Sequence, residues 1–284
     1  MKEFMESKKM HITYSDRTSK IPVDRLSTLF LISVDCGELT IPFVFDTGGS
    51  MTVVNKTTAD KLYGIPCAET VTVGGNACAR FIADTIIIPM LKIGEVIIHD
   101  LKAIIVDDDI LDFGVDENST PFCFNGFLGW DVIQHFAWHY DAPNSCFHMN
   151  KPVVAQGTAT MALWDNMPLI YALHNGKKML FGFDTGNTET VLGEKLYETM
   201  TNAKEGWDTF AGIDGVLETE VHIAEEFEIQ IGQHTVRLQK ISIVNRQVFP
   251  SKNKDICGLL AADIIQGKSW TLDYFNRSFE ISER

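Results

Sequence analysis

The chain has 284 residues, 45% of them hydrophobic and 22% charged, with a formal net charge of −14. That length holds one large or two small domains, and that composition excludes disorder. The acidic balance argues against a nucleic-acid partner and against an anionic membrane surface; beyond that it reads as a solvated acidic exterior.

Residues 1–25 are polar and predict a lead-in of low structural content. The opening MKEFMESKKM lacks the apolar core of a signal peptide, and no later stretch approaches a membrane-spanning length. As written, the chain reads as soluble and cytoplasmic, or as periplasmic or secreted if a leader has been trimmed. From Leu29 the pattern is strand-like: LFLISV, a turn at Asp35-Cys36-Gly37-Glu38, then LTIPFVF running into Phe45-Asp46-Thr47-Gly48. A β-branched run follows at Met51–Val54, then a short helical piece containing Lys61-Leu62-Tyr63. Next comes an alternating segment, Thr70–Val73, with a glycine tip at Gly74-Gly75, which reads as a hairpin with a mobile end.

The second half repeats this order. LIYAL, a turn at His174-Asn175-Gly176-Lys177 and KMLFGF run into Phe183-Asp184-Thr185-Gly186, 138 residues after the first tetrad. Thr190-Val191-Leu192, Lys195-Leu196-Tyr197 and a glycine tip around Gly212 follow in the same sequence. The offset of 138 also relates Ile93-Gly94 to Ile231-Gly232 and Ile105-Val106 to Ile243-Val244. It changes once, to 132, so that Gly126–Phe147 lies over Gly258–Phe279 without a gap. Within that block Asp131-x-x-Gln134 and Asp263-x-x-Gln266 predict capping boxes on short helices, a structural duty. Asn150–Thr160 is polar, small and Pro/Gly-containing, as a linker is. The chain thus divides into a lead-in (1–25), a first lobe (26–150), a linker (151–165) and a second lobe (166–284). Duplication of this kind sets equivalent elements face to face, as in a fused dimer.

Two Asp-Thr-Gly tetrads, each after an apolar strand and each followed by an apolar-apolar-Gly/Ala-x-Asp block, resemble the two-lobed aspartic peptidases, retropepsin-like and pepsin-like. The resemblance runs from Leu29 to Ile281. It implies an all-β acid-protease fold of two homologous β-barrel-like lobes related by a pseudo-twofold, with a short helix after each closing block. It implies an aspartic-type endopeptidase in which Asp46 and Asp184 meet and hold one water. Thr47 and Thr185 would bond across the interface, Gly48 and Gly186 would let backbone amides reach the carboxylates, and Gly129 and Ala261 would pass beneath the catalytic loops. Gly74, Gly75 and Gly212 mark flap candidates. No cofactor beyond the water is implied, the partner is a peptide or protein substrate, and one chain suffices for a complete site. The sequence departs from the family at Ala261, where a Cβ replaces the hydrogen of Gly129 and predicts strain.

Two other readings stand beside this one. One is an inactive peptide-binding homologue of the same fold, which Ala261 leaves open. The other is an ATP-binding sugar-kinase or actin-like protein with Asp-x-Gly phosphate loops, a fold that needs several long helices. The remaining chemistry-bearing residues carry bland expectations. Six cysteines without a Cys-x-x-Cys pair disfavour zinc, and the sequence suggests no metal site. Cys67 and Cys78 flank the first glycine-tipped hairpin, where they could pair in an oxidising compartment, although buried or idle thiols are the simpler reading. Asp107-Asp108-Asp109 reads as a solvated turn. His135 and His139 lack the acid of a zinc helix, and Ser145-Cys146 lack a nucleophile's context. Trp138 and Trp270 match across the repeat as core residues.

Overall fold

The computed structural model describes residues 9–15, 18–115, 119–197, 200, 203–246 and 255–282. Strands dominate it. Leu29–Cys36 and Leu39–Phe45 form a hairpin closed by Gly37, whose φ of +62° lies where a Cβ is disfavoured. Their counterparts Leu169–His174 and Lys177–Phe183 turn through Asn175 and Gly176, at φ of +50° and +75°, the primed turn that matches strand twist.

Each lobe then builds the same local device around its tetrad strand. Leu39–Phe45 pairs in parallel with Gly126–Leu128, which pairs antiparallel with Val53–Asn55. In the second lobe Lys177–Phe183 pairs in parallel with Ile256–Leu260, which pairs antiparallel with Val191–Leu192. Each sheet curls back on itself at one equivalent point, Asp35 against Lys92 and Leu173 against Gln230. Helices are short. The longest among the described residues is Lys56–Lys61, capped by Asn55 Oδ1 accepting the Thr58 N–H at 2.8 Å. None is long and apolar enough to cross a membrane. The long helices of a sugar-kinase or actin-like fold are not among the described elements.

The lobes join through a shared sheet. The hairpin Ala137–Asp141 and Cys146–Asn150 of the first half pairs with Ser269–Asp273 of the second, Trp138 opposite Leu272 and Tyr140 opposite Trp270. Trp138 and Trp270 are fully buried there among Phe30, Phe45, Phe147, Phe183 and Phe279. The core role expected of them is what the structure shows. The tetrad residues Phe45 and Phe183 rest on this aromatic layer, so the two loops that follow share one rigid floor.

Two expectations need correcting. The lead-in is not without structure: Ser19–Leu26 is a strand between Leu29–Cys36 and Cys146–Asn150. Ser19, Ile21 and Val23 are buried while Lys20, Pro22 and Asp24 are exposed, a period-2 pattern that polar composition concealed. Residues 1–8 and 16–17 of the lead-in lie outside the described residues. The capping boxes are also absent. The short helix Trp130–Ile133 has Gly129 as its N-cap, and the turn Ala262–Ile265 has Ala261, neither with a side-chain cap bond. Asp131 and Asp263 instead reach across to the chain that follows each tetrad.

Candidate active site

Asp46 begins where its strand ends, its N–H donating to Leu128 O at 3.0 Å; Asp184 N–H donates to Leu260 O at 2.9 Å. The apolar run fixes the strand, the parallel neighbour anchors its last residue, and the acid is delivered to the loop. The two acids arrive at one place. Each carboxyl packs against the glycine of the opposite tetrad, which sets the two acids side by side. A Cβ at Gly48 would overlap the Asp184 carboxyl, and one at Gly186 would lie 2.5 Å from Asp46 Cγ. Glycine is needed at both positions because each loop packs against the acid of the other lobe.

Thr47 and Thr185, both fully buried, lock the loops together. Thr47 Oγ1 donates to Phe183 O at 2.7 Å and accepts the Thr185 N–H at 3.0 Å. Thr185 Oγ1 donates to Phe45 O at 2.6 Å and accepts the Thr47 N–H at 3.2 Å. Four buried backbone groups are satisfied by two hydroxyls, each reaching into the opposite lobe.

Backbone donors of each loop point at its own acid. Gly48 and Gly49 both donate to Asp46 Oδ1 at 2.9 Å, whereas Gly186 donates to Asp184 Oδ1 at 2.9 Å. Burial pushes the Asp46 carboxyl above its usual range, against the opposing pull of the Gly49 and Gly48 amides. Asp184 is pushed much further, by burial first and then by the negative charge of Asp46 beside it. Like carboxyls this close cannot both ionise cheaply, so one proton stays in the pair, and its titration belongs to the two acids together.

Beneath each loop a second set of bonds holds the floor. Asp131 accepts the Thr52 N–H at 3.0 Å and the Thr52 hydroxyl at 2.9 Å, and Thr52 Oγ1 accepts the Gly129 N–H at 3.1 Å. Asp263, Thr190 and Ala261 repeat this at 2.8, 2.6 and 3.0 Å. Burial raises both acids, Asp131 to about 6. Sequence reasoning missed Thr52 and Thr190, although two hydroxyls repeated inside an apolar run were a visible signal.

Ala261 is accommodated without the expected strain. Its φ of −98° is ordinary extended backbone, close to the −87° of Gly129, and it is fully buried. A Cβ on Gly129, in contrast, would lie 2.5–2.7 Å from the backbone of Met51 and Thr52.

Two glycine-tipped hairpins meet at their ends. The first is Ile65–Gly74 with Arg80–Ile93; the second is Lys204–Gly212 with Gly215–Ile231. Asp214 at the second tip accepts the Ala77 and Ala79 N–H groups of the first at 3.1 and 3.0 Å, and Asn76 Nδ2 donates to Ala211 O at 3.3 Å. A Cβ at Gly75 would come within 2.6 Å of Asp214 Oδ1, and one at Gly212 within 2.8 Å; Gly74 lies outside this contact. Beside the junction is a cavity of about 520 Å³ lined by Phe81, Ile110, Phe113 and Ile213, with Asp109 and Asp112 at its edge. The six cysteines are free, so Cys67 and Cys78 are unpaired; the Arg246 guanidinium contacts the Cys78 thiol.

Residues 32–132 match the aspartyl protease family. The resemblance to the aspartic peptidases holds. The fold carries it through the rest of the chain: aspartic proteinase from Irpex lacteus superposes with a TM-score of 0.55 over 94% of this chain and 97% of that one, at 11% identity. No curated protein matches in sequence. The aspartic-peptidase fold therefore extends over both lobes, and the family match lies in the first.

Proposed function

We propose that this chain is an aspartic endopeptidase whose reaction runs through Asp46, Asp184 and one water held between them. The observation that carries the reading is the pair of buried carboxyls set side by side at equivalent ends of two duplicated strands, each against the glycine of the opposite tetrad. Aspartic peptidases are the standing example of this chemistry. The ionised carboxylate accepts a proton from the water as it attacks the scissile carbonyl, and the protonated acid donates a hydrogen bond to that carbonyl oxygen. The proton gained is then available for the leaving nitrogen. No metal or organic cofactor enters the scheme. The partner is a peptide or protein, and a monomer suffices because both acids belong to one chain.

The two glycine-tipped hairpins act as flaps. Their tip contacts are a few hydrogen bonds between exposed segments, weak enough to open for a peptide and to close over it with water excluded. The apolar cavity beside the junction would seat a substrate side chain.

Cleavage of a mixed peptide library between about pH 3 and 8 tests the proposal. Turnover should fall by at least about 10³-fold in both Asp46→Asn and Asp184→Asn, because each removes one half of the acid–base pair. A wild-type protein that binds peptides and cleaves none of them would leave a peptide-binding homologue instead.

A further inference from the structure

We propose that the outer face of the shared sheet carries a zinc site made by Asp141, Cys146 and His148, on the side of the hairpin away from the aromatic layer beneath the tetrad loops. It departs from the sequence-level expectation of no metal site. The signal was hidden because the residues converge through strand register and not through a spaced motif. Asp141 and Cys146 are cross-strand partners in the hairpin Ala137–Asp141 with Cys146–Asn150, and His139 and His148 are partners one step along. Cross-strand partners share a face, and alternate residues keep it. Trp138, Tyr140, Phe147 and Met149 take the core side, which leaves the other side to this polar set.

The geometry suits one ion. The ligand atoms of Asp141, Cys146 and His148 all lie within 4.8 Å of one another. His148 Nε2 is 3.6 Å from Cys146 Sγ and 3.7 Å from Asp141 Oδ2. Around tetrahedral zinc, with bonds near 2.3 Å to sulfur and near 2.0–2.1 Å to nitrogen or oxygen, ligand atoms sit roughly 3.4–3.6 Å apart. The two distances from His148 therefore already match that spacing to within a few tenths of an ångström, and the third lies within 4.8 Å. A mixed sulfur, nitrogen and oxygen set favours zinc over the hard cations magnesium and calcium. Asn144 supports the carboxylate from outside, its Nδ2 donating to Asp141 Oδ2 at 2.8 Å and its N–H to Oδ1 at 3.3 Å. Cys146 is buried, whereas the His148 and Asp141 side chains are 32% and 23% exposed, so the ion has a way in. The fourth position falls to water. Binding deprotonates the Cys146 thiol and releases that proton to solvent.

The second lobe provides an internal control. The equivalent turn, 132 residues on, keeps Asp273 and Asn276 with the same two bonds at 3.1 and 2.7 Å. Cys146 and His148, however, correspond to Ser278 and Glu280, and His139 to Thr271. The turn itself thus needs only the Asp and the Asn. The thiol and imidazole are additions of the first lobe that turn geometry does not require.

The test is titration of the metal-stripped full chain with zinc by calorimetry and with cobalt by absorption. One equivalent should bind, with a thiolate-to-cobalt charge-transfer band. Cys146→Ser should abolish the band, His148→Gln should weaken zinc by at least about 100-fold, and Asn144→Ala by about 10-fold. A Cys78→Ser, Cys123→Ser variant should retain everything, and peptidase turnover should be unchanged in His148→Gln. Absence of saturable binding would overturn the proposal. So would a signal that survives in His148→Gln and disappears in the Cys78→Ser, Cys123→Ser variant.

Discussion

In the first lobe Gly129 runs so close beneath the first tetrad loop that a single methyl would strike the backbone of Met51 and Thr52. In the second lobe Ala261 occupies the same place with that methyl present, in nearly the same backbone conformation. The difference shows in the bonds alongside: Trp130 N–H reaches Gly49 O at 2.6 Å, while Ala262 N–H reaches Asn187 O at 3.1 Å. The second loop sits slightly further from its support, and the extra space holds the Cβ. What both halves keep is the chain of bonds from acid to threonine hydroxyl to backbone amide. The duplicated site has preserved its hydrogen bonds and let its packing drift.

The comparison breaks most severely at the threonines. Thr47→Val should leave the Thr185 N–H and Phe183 O buried without partners, at about 1–3 kcal/mol for each group. Thr185→Val should cost about the same, since its bonds are the mirror of these. Urea unfolding of both single variants and the double variant checks this. A double loss well short of the sum would show that the two hydroxyls act as one unit.

A pH experiment sharpens it next. A carboxyl whose folded pKa is raised contributes stability that is fully present below the unfolded value and is lost as pH rises through the folded value. For Asp131 that window runs from 3.8 to about 6. Asp131→Asn should therefore flatten the fall in stability across this range, by at most about 3 kcal/mol for a shift of roughly two units. Asp263→Asn should flatten it less, because that acid is raised but retains more solvent.

The smallest effects separate the two supports. Gly129→Ala should destabilise by about 1–3 kcal/mol through overpacking against backbone that cannot yield, and should lower turnover by displacing Thr52. Ala261→Gly should cost only about 0.5–1 kcal/mol, the entropic penalty of glycine in extended chain. Equal costs in the two lobes would mean that the loops are not differently spaced.

Much of this was legible in the sequence because duplication acts as a built-in comparison. Repeated tetrads, an offset that changes only once and the Asn175-Gly176 turn were enough for strands, pairing and two meeting acids. Ser19–Leu26 was hidden because Lys20, Pro22 and Asp24 made a half-buried strand look like a polar tail. Asp131 was misread because Asp-x-x-Gln fits a local cap, while its partner Thr52 lies 79 residues away and only the fold brings them together. Asp214 was invisible for a similar reason: its partners are backbone amides of the other hairpin, which leave no trace in side-chain pattern.

The central claim is that two unlike half-sites deliver one pair of acids sharing one proton. Carbon-13 carboxyl NMR of the aspartates, followed across pH in the wild type and in Asp46→Asn, reads it most directly. Beside the raised titrations of Asp131 and Asp263, the account predicts a titration of the Asp46–Asp184 pair well above the ordinary aspartate value of 3.8, shifted or lost when Asp46 is neutralised. Two independent titrations near 3.8, unchanged by that substitution, would contradict it.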